Sequence, residues 1–194
     1  MLAIGNRGHA VKTLQLDAIT LGFGELLGKA GADGIFGEDT EKTIEALQKW
    51  LKIEVDGIAG PQTKSSISKA KNNAGLKGTR NFNIHEFYCK GSNTILSGGM
   101  DKNLILNLET LRYELGNKPI SINSGYRTKS HNKRVGGASK SQHLYGKAAD
   151  IKVKGISASN VYNQANKIFT TGGVGKYNTF THVDTRSGRV RFTG

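Results

Sequence analysis

Apolar residues recur at three- and four-residue intervals in the first third of the chain, and this period predicts α-helices. The two clearest stripes are Val11, Leu14, Ala18 and Leu21, followed by Thr40, Ile44, Leu47 and Leu51. Residues at this spacing share one face of a helix, so each stripe predicts a helix with one buried side. A third helix is expected to begin at Pro61, because a proline at the first helical position loses no hydrogen bond there. Residues 1–70 are therefore predicted to form a small three-helix domain.

The remainder of the chain alternates between helical and strand-like patterns. The predicted elements are helices over 101–115 and 157–169, strands over 120–123, 148–153 and 177–184, and a glycine-rich turn over 172–176. Gly116 is placed to end the first of these helices, whose leucines share one face. Helices around a small, mostly antiparallel sheet define an α+β class for residues 81–194. The polar stretch 71–80 contains two glycines and is predicted to be a linker loop that tethers the two domains.

A short motif occurs twice in the first domain. The sequence DGIFGEDT at 33–40 recurs as DGIAGPQT at 56–63. Each copy predicts an Asp-Gly turn followed by the first turn of a helix. The repeated pattern resembles the short three-helix peptidoglycan-binding domain over about residues 4–70, which implies peptidoglycan as a partner. Trp50 is expected to lie in the core of this domain rather than to stack on a sugar.

Composition limits the class of protein further. The chain has 194 residues, 36% of them apolar, and 26 glycines, as expected of a globular, loop-rich protein. No apolar run approaches the roughly 18 residues of a membrane span. Residues 1–10 lack the apolar core of a signal peptide, so we expect synthesis in the cytoplasm. Cys89 is the single cysteine and is expected to be a small buried residue without a disulfide partner.

Positive charge is concentrated in the second part of the chain. Residues 1–78 carry a net charge of +1, whereas residues 79–194 carry +12 out of the total of +13. This asymmetry indicates that the second domain meets an anionic polymer. Nucleic acid and an anionic bacterial wall both agree with the sign of the charge.

Candidate metal ligands lie in the second domain. His143 and Asp150 are seven positions apart, which is too far for one turn of helix and suits a loop that leads into a strand. His182 lies in a later strand-like run. Two histidines and one carboxylate, with a fourth position left to water, are a ligand set of catalytic zinc.

The residues around these candidates resemble a known family. The pattern SxHxxGxAxD at 141–150, the sequence THVD at 181–184, and the upstream INSGYR at 122–127 and SHN at 130–132 are similar to the zinc D-alanyl-D-alanine peptidases. Those enzymes belong to a wider group that also includes lysostaphin-like and murein endopeptidases. The resemblance covers about residues 80–194. It implies one zinc ion per chain, bound by His143, Asp150 and His182.

Asp184 is the candidate for the general base. His182 and Asp184 lie on the same face of a strand, so the carboxylate is within about 7 Å of the metal position. Relatives often supply the base two or three positions before the last zinc histidine, but this chain has Phe180 and Thr179 there. The alternative role for Asp184 is to orient a zinc ligand by a hydrogen bond.

Three further residues are candidates for contacts with the substrate. By resemblance, Arg127 points into the cleft, where it steadies the carbonyl oxygen or a substrate carboxylate. Ser141 and Gln142 are expected to form hydrogen bonds with the substrate. Ser141 is not a candidate nucleophile, because the sequence around it lacks the pattern of a serine hydrolase.

Together these features predict a peptidoglycan hydrolase that resembles a phage endolysin and cleaves a peptide bond of the murein stem peptide by zinc-activated water. The bond is either L-alanyl-D-glutamate or a D-alanyl bond. We expect a monomer that binds no nucleic acid and reaches the wall after release through a membrane lesion. Two other classes stay open at this point: a non-catalytic wall-binding protein with a structural metal, and a nucleic-acid-binding protein.

Overall fold

The computed structural model describes all 194 residues and begins with three helices that enclose one core. These are α1 (His9–Thr20), α2 (Glu38–Leu51) and α3 (Pro61–Lys77). The predicted apolar stripes are buried: Val11, Leu14 and Ala18 face Ile44 and Leu47 in this core. A short 3-10 helix, Gly24–Leu27, follows α1. Trp50 packs edge-on against Phe23, with the ring centroids 5.7 Å apart, but 37% of its surface is exposed.

Each copy of the repeated motif surrounds a buried glutamine from the preceding helix. The Gln15 amide donates to Asp33 Oδ1 at 3.0 Å and to Thr40 Oγ1 at 3.0 Å. The Gln48 amide makes the same two contacts in the second copy, with Asp56 at 2.7 Å and Thr63 at 3.1 Å. Each motif is therefore a turn that satisfies the polar groups of one buried side chain.

The second part of the chain folds around a five-stranded sheet. Its strands are β1 (Ile120–Ser124), β2 (Ala148–Val153), β3 (Gly172–Lys176), β4 (Thr181–Asp184) and β5 (Arg189–Thr193). The spatial order is β1-β2-β4-β3-β5, and all pairs are antiparallel except β3 with β5. Helices α4 (Lys102–Glu114) and α6 (Ala158–Ile168) cover one face, and α5 (Lys129–Arg134) is a single short helix. The α+β class and the mostly antiparallel sheet are confirmed.

The prediction of a turn at residues 172–176 is wrong. These residues form β3, a buried strand between β4 and β5. Val174 faces the apolar core, whereas Gly173 and Gly175 face the crowded opposite side. The glycines suggested a turn because glycine usually weakens a strand, but here they leave room for neighbouring side chains. The strand-like run predicted over 177–184 is also shorter than expected, since only Thr181–Asp184 is a strand.

The predicted linker loop over 71–80 is wrong for its first seven residues, which complete α3. Gly75 lies against the backbone that precedes α4: its carbonyl accepts from Met100 N at 2.8 Å, and a Cβ at Gly75 would lie only 2.0 Å from Met100 O. Leu106 of α4 also belongs to the core of the three-helix part. Helix α4 is therefore shared between the two hydrophobic cores.

Polar contacts hold the remaining linker residues in place. The buried Glu109 carboxylate of α4 accepts from Thr79 Oγ1 at 2.6 Å and from the backbone and side chain of Asn81 at 3.0 Å each. Burial raises the pKa of Glu109 despite these donors. Arg80 forms an ion pair with Glu25 at 2.9 Å, and its guanidinium lies 4.8 Å from the centre of the Phe23 ring. These contacts contradict a free tether, because the two parts of the chain pack directly against each other.

No helix is both long enough and apolar enough to cross a membrane.

We expect Gly75→Ala to destabilise the protein, although glycine to alanine in an exposed helix normally stabilises by about 1 kcal/mol. The added methyl group would overlap Met100 O, so the expected loss is about 2 kcal/mol, to be measured by denaturant unfolding. Asn73→Ala on the exposed side of α3 is the matched control and should change stability by less than about 0.5 kcal/mol. A gain in stability for Gly75→Ala would contradict the close contact between α3 and α4.

Candidate metal centre

The pairing of β2 with β4 brings two of the predicted ligands together. Asp150 lies directly opposite His182 in the antiparallel register. Their side chains point away from the apolar core, which takes Ala149, Ile151 and Val183 from the same two strands. The alternation of side chains along each strand therefore places a carboxylate and an imidazole on the same uncovered face.

His143 reaches this face from a 3-10 helix, Gln142–Tyr145, which precedes β2. Gly146 ends that helix in the left-handed conformation with a φ of 65°, a geometry that glycine adopts without strain. The ring of His143 lies 5.1 Å from that of His182. The loop thus returns the chain to the sheet just before Asp150.

The donor atoms of His143, Asp150 and His182 all lie within 4.8 Å of one another. The distances to Asp150 Oδ1 are 3.2 Å from His143 Nε2 and 2.9 Å from His182 Nδ1. All three residues are buried, and no fourth histidine, cysteine, aspartate or glutamate belongs to the group. The structure therefore brings the three predicted ligands into one cluster.

In each imidazole, the ring nitrogen that points away from Asp150 has a separate hydrogen-bond partner. His143 Nδ1 lies 2.6 Å from Gly125 O, and His182 Nε2 lies 3.0 Å from Asp184 Oδ2. If these nitrogens carry the protons, the lone pairs of His143 Nε2 and His182 Nδ1 both face Asp150 Oδ1. Three electron-pair donors that converge in this way fit a bound cation, with the ring orientations fixed by the outer partners.

Arg127 holds the other oxygen of the central carboxylate. Its Nη2 donates to Asp150 Oδ2, and its Nε donates to Ser124 Oγ at 2.8 Å. Burial disfavours the charged form of Asp150, but the adjacent imidazoles of His143 and His182 outweigh burial and hold its pKa well below the usual range. Asp150 is therefore ionised, as a metal ligand requires.

Asp184 lies behind His182 rather than in the cleft. Its side chain is fully buried and accepts from Gly173 N at 2.9 Å and from Arg186 Nε at 2.8 Å. Burial opposes its ionisation, but the contacts with His182 and Arg186 prevail and keep the pKa of Asp184 well below its ordinary value. These contacts argue against the predicted role of Asp184 as a proton acceptor, because its oxygens already have partners and the residue does not line the cleft.

The cluster lies at the floor of a cleft with a volume of about 480 Å³. The predicted residues Arg127, Ser141 and Gln142 line the cleft beside the ligands, and Asp150 is its only carboxylate. Aromatic side chains form another part of the lining, where Tyr177 and Phe180 stack with centroids 4.2 Å apart.

Several residues of the site were not anticipated from the sequence. Phe192 lies 5.5 Å from His182, over Gly175, where a Cβ would come within 2.4 Å of the phenyl ring. Gly173 leaves space for Asp184 in the same way. The signal for these contacts is the glycine alternation in GGVG at 172–175, which puts the only bulky side chain on the core face.

Comparison with known proteins agrees with this geometry. The Peptidase M15 family profile matches residues 80–184, more than half of the chain, and includes all three clustered residues. The profile named "Putative peptidoglycan binding domain" matches residues 7–67, which contain both copies of the repeated motif. The chain belongs to the Peptidase M15 family and joins it to a peptidoglycan-binding type of domain.

Individual relatives carry names from cell-wall chemistry. The zinc D-Ala-D-Ala carboxypeptidase of Streptomyces albus G is 33% identical over 159 residues, covering 77% of this chain and 60% of the relative. A probable N-acetylmuramoyl-L-alanine amidase of Bacillus licheniformis is 32% identical over 152 residues, covering 77% of this chain and 41% of the relative. The peptidoglycan L,D-endopeptidase MepK of Escherichia coli (strain K12) is 37% identical over 98 residues, or 46% of this chain and 53% of the relative. The chain thus spans only about half of the length of these relatives.

We expect Gly173→Ala to weaken binding of a divalent metal by about tenfold or more. The new Cβ would lie 2.2 Å from Asp184 Oδ2, and that carboxylate is held by Arg186, so His182 would lose its orientation. Competition with a chelating dye measures the affinity. Gly98→Ala is the matched control, because nothing lies within 4 Å of its Cβ position. Equal affinity for both variants would show that the contact with Asp184 does not orient His182.

Proposed function

We propose that this protein is a peptidoglycan hydrolase that cleaves a peptide bond of the murein stem peptide and uses one zinc ion held by His143, Asp150 and His182. The observation that carries the proposal is a buried set of two imidazoles and one carboxylate at the floor of an open cleft, without a fourth protein ligand. Structural zinc sites normally have four protein ligands, so this set favours catalysis over a purely structural metal. The family membership and the wall-related names of the relatives support the same class of reaction.

Zinc in a site of this kind acts as a Lewis acid that activates water and polarises a carbonyl group. The protein supplies the orientation of the ligands. Gly125 O and Asp184 orient the two imidazoles, and protons on the nitrogens that face them would leave the nitrogen facing Asp150 free to bind a metal in each ring. Arg186 compensates the charge of the fully buried Asp184, which would otherwise be costly inside the protein. We assign Asp184 to positioning, the alternative role considered from the sequence.

Arg127 is the electrophilic group of the proposed site. Its contacts with Ser124 and Asp150 fix the guanidinium at the edge of the cleft and use two of its five N–H donors. The remaining donors are available to a substrate carbonyl oxygen, on which negative charge develops during amide hydrolysis. Ser141 and Gln142 line the same cleft and are proposed to contact the peptide.

The two bonds considered from the sequence, L-alanyl-D-glutamate and a D-alanyl bond, both remain within the proposal. Relatives include a carboxypeptidase and an L,D-endopeptidase by name, which supports hydrolysis of murein peptides but not one bond over the other. Peptidoglycan is the proposed partner of the three-helix part as well, on the basis of its family match. The endolysin-like setting belongs to the same proposal, and lysis of permeabilised cells by added protein would support it.

Digestion of purified cell walls tests the proposed function. We expect the walls to clear and mass spectrometry of the fragments to reveal new amino termini, which identify the bond, rather than new reducing sugars. The protein should contain about one zinc per chain, and His143→Ala should lose most of the zinc and the clearing activity. His85→Ala is the matched control, since His85 packs against Tyr88 outside the cleft. Reducing ends without new amino termini would contradict peptide cleavage.

Asp184→Asn tests the positioning role. We expect zinc affinity to fall by about 10- to 100-fold, because the amide cannot replace the charged partner of both His182 and Arg186. At saturating zinc, most of the kcat should return, since Asp184 does not touch the cleft. A variant with unchanged zinc affinity and greatly reduced kcat would instead favour a direct role in proton transfer.

A further inference from the structure

A second cavity lies on the other side of the loop that borders the cleft. Its volume is about 770 Å³, and it shares Arg127, Gly136 and Gly137 with the cleft. We call this cavity the α5 groove, and its distinctive lining residues are Leu96, Tyr126, Lys129, Lys133, Leu144 and Tyr145. The groove therefore adjoins the proposed catalytic site, and Arg127 lines both.

The charge of the groove is entirely positive. Lys129 and Lys133 lie four residues apart on α5, both are exposed, and neither forms an ion pair with the protein. No aspartate or glutamate lines the groove, and the only carboxylate in the adjoining cleft is Asp150. Two lysines without an ion-pair partner, with Arg127 at the junction, favour an anionic ligand.

The remaining lining is largely apolar. Tyr145 is 55% exposed, and Leu96 and Leu144 lie beside it in the groove wall. A highly charged polymer such as nucleic acid needs many phosphate contacts, whereas two lysines beside an aromatic and aliphatic wall fit a short peptide that carries a carboxylate. Stem peptides of murein combine free carboxyl groups with alanine methyl groups.

The loop between the two cavities is held to α5 by one buried residue, Asn132. Asn132 Nδ2 donates to Ala138 O at 3.0 Å, and Asn132 O accepts from Gly137 N at 2.8 Å. A Cβ at Gly137 would lie 2.1 Å from Asn132 Oδ1, so the contact requires glycine. These contacts fix the loop against the helix that carries both lysines.

We propose that the α5 groove is a substrate subsite in which Lys129 and Lys133 bind a carboxylate of a stem-peptide residue that flanks the scissile bond. This inference rests on the proposed function. Under this proposal, the excess positive charge beside the cleft selects stem peptides whose carboxyl groups are free rather than amidated.

The test compares two soluble stem pentapeptides, one with its internal carboxyl groups free and one with them amidated; both keep the C-terminal carboxylate. The double variant Lys129→Gln/Lys133→Gln should raise KM for the free peptide about tenfold, the combined effect of two exposed ion pairs. Its KM for the amidated peptide should change less than about twofold, with kcat unchanged for both. Lys167→Gln on α6, across the sheet from the cleft, is the matched control and should change neither value.

An equal change of KM for both peptides, or no change for either, would overturn the inference while leaving the proposed function intact. If the unmodified protein cleaves neither peptide nor purified walls, the proposed function fails. In that case, calorimetric titration of the same two peptides tests the groove separately. A preference for the free peptide that the double variant loses would support the inference. Displacement of the free peptide by a short DNA duplex at physiological salt would identify a general anion-binding surface and overturn the inference.

Discussion

The antiparallel register of β2 and β4 is the constraint on which the candidate site depends. It sets Asp150 opposite His182 and keeps the apolar residues of both strands on the other face. A shift of one residue would turn the carboxylate into the hydrophobic core and an alanine or isoleucine toward the cleft. The burial of one face by α4 and α6 therefore fixes the position of the ligands on the other. The packing of the core and the geometry of the metal centre are two consequences of the same register.

A buried ion pair between Asp184 and Arg186 stabilises the metal centre, on the side of His182 opposite Asp150. Asp184 has no exposed surface, and an unpaired carboxylate in such a position would be strongly unfavourable. Arg186, His182 and the backbone of Gly173 supply its partners, so that the charge is compensated and the imidazole is oriented by the same contacts. The space for this network comes from glycine in β3. A strand with ordinary side chains at those positions would displace either Asp184 or Phe192.

The sequence predicted most helices and the ligand cluster, because those features have local signals. Three- and four-residue spacing identified α1, α2 and α4, and the motif around His143 and Asp150 indicated a metal site. The prediction failed for β3, because its glycines leave room for large neighbouring side chains and do not form a turn. It also failed for 71–77. In the sequence alone, the polar residues and Gly75 of this segment are typical of a linker, but in the fold they belong to α3, which packs against α4. The role of Asp184 depends on which side of His182 it occupies, and only the folded chain determines that.

Under the proposed function, the close contact between the two parts of the chain changes how the three-helix part would assist the cleft. A flexible tether lets a bound enzyme reach many bonds, and the effective concentration of the enzyme rises moderately at each of them. Here α4 belongs to both cores, and Glu109, Arg80 and Gly75 hold the junction. With a fixed junction of this kind, the effective concentration rises mainly for bonds that lie at one distance and one orientation from the anchored domain. Under the proposed function, the geometry of the murein network, and not only the chemistry of the cleft, then determines which peptides are reached.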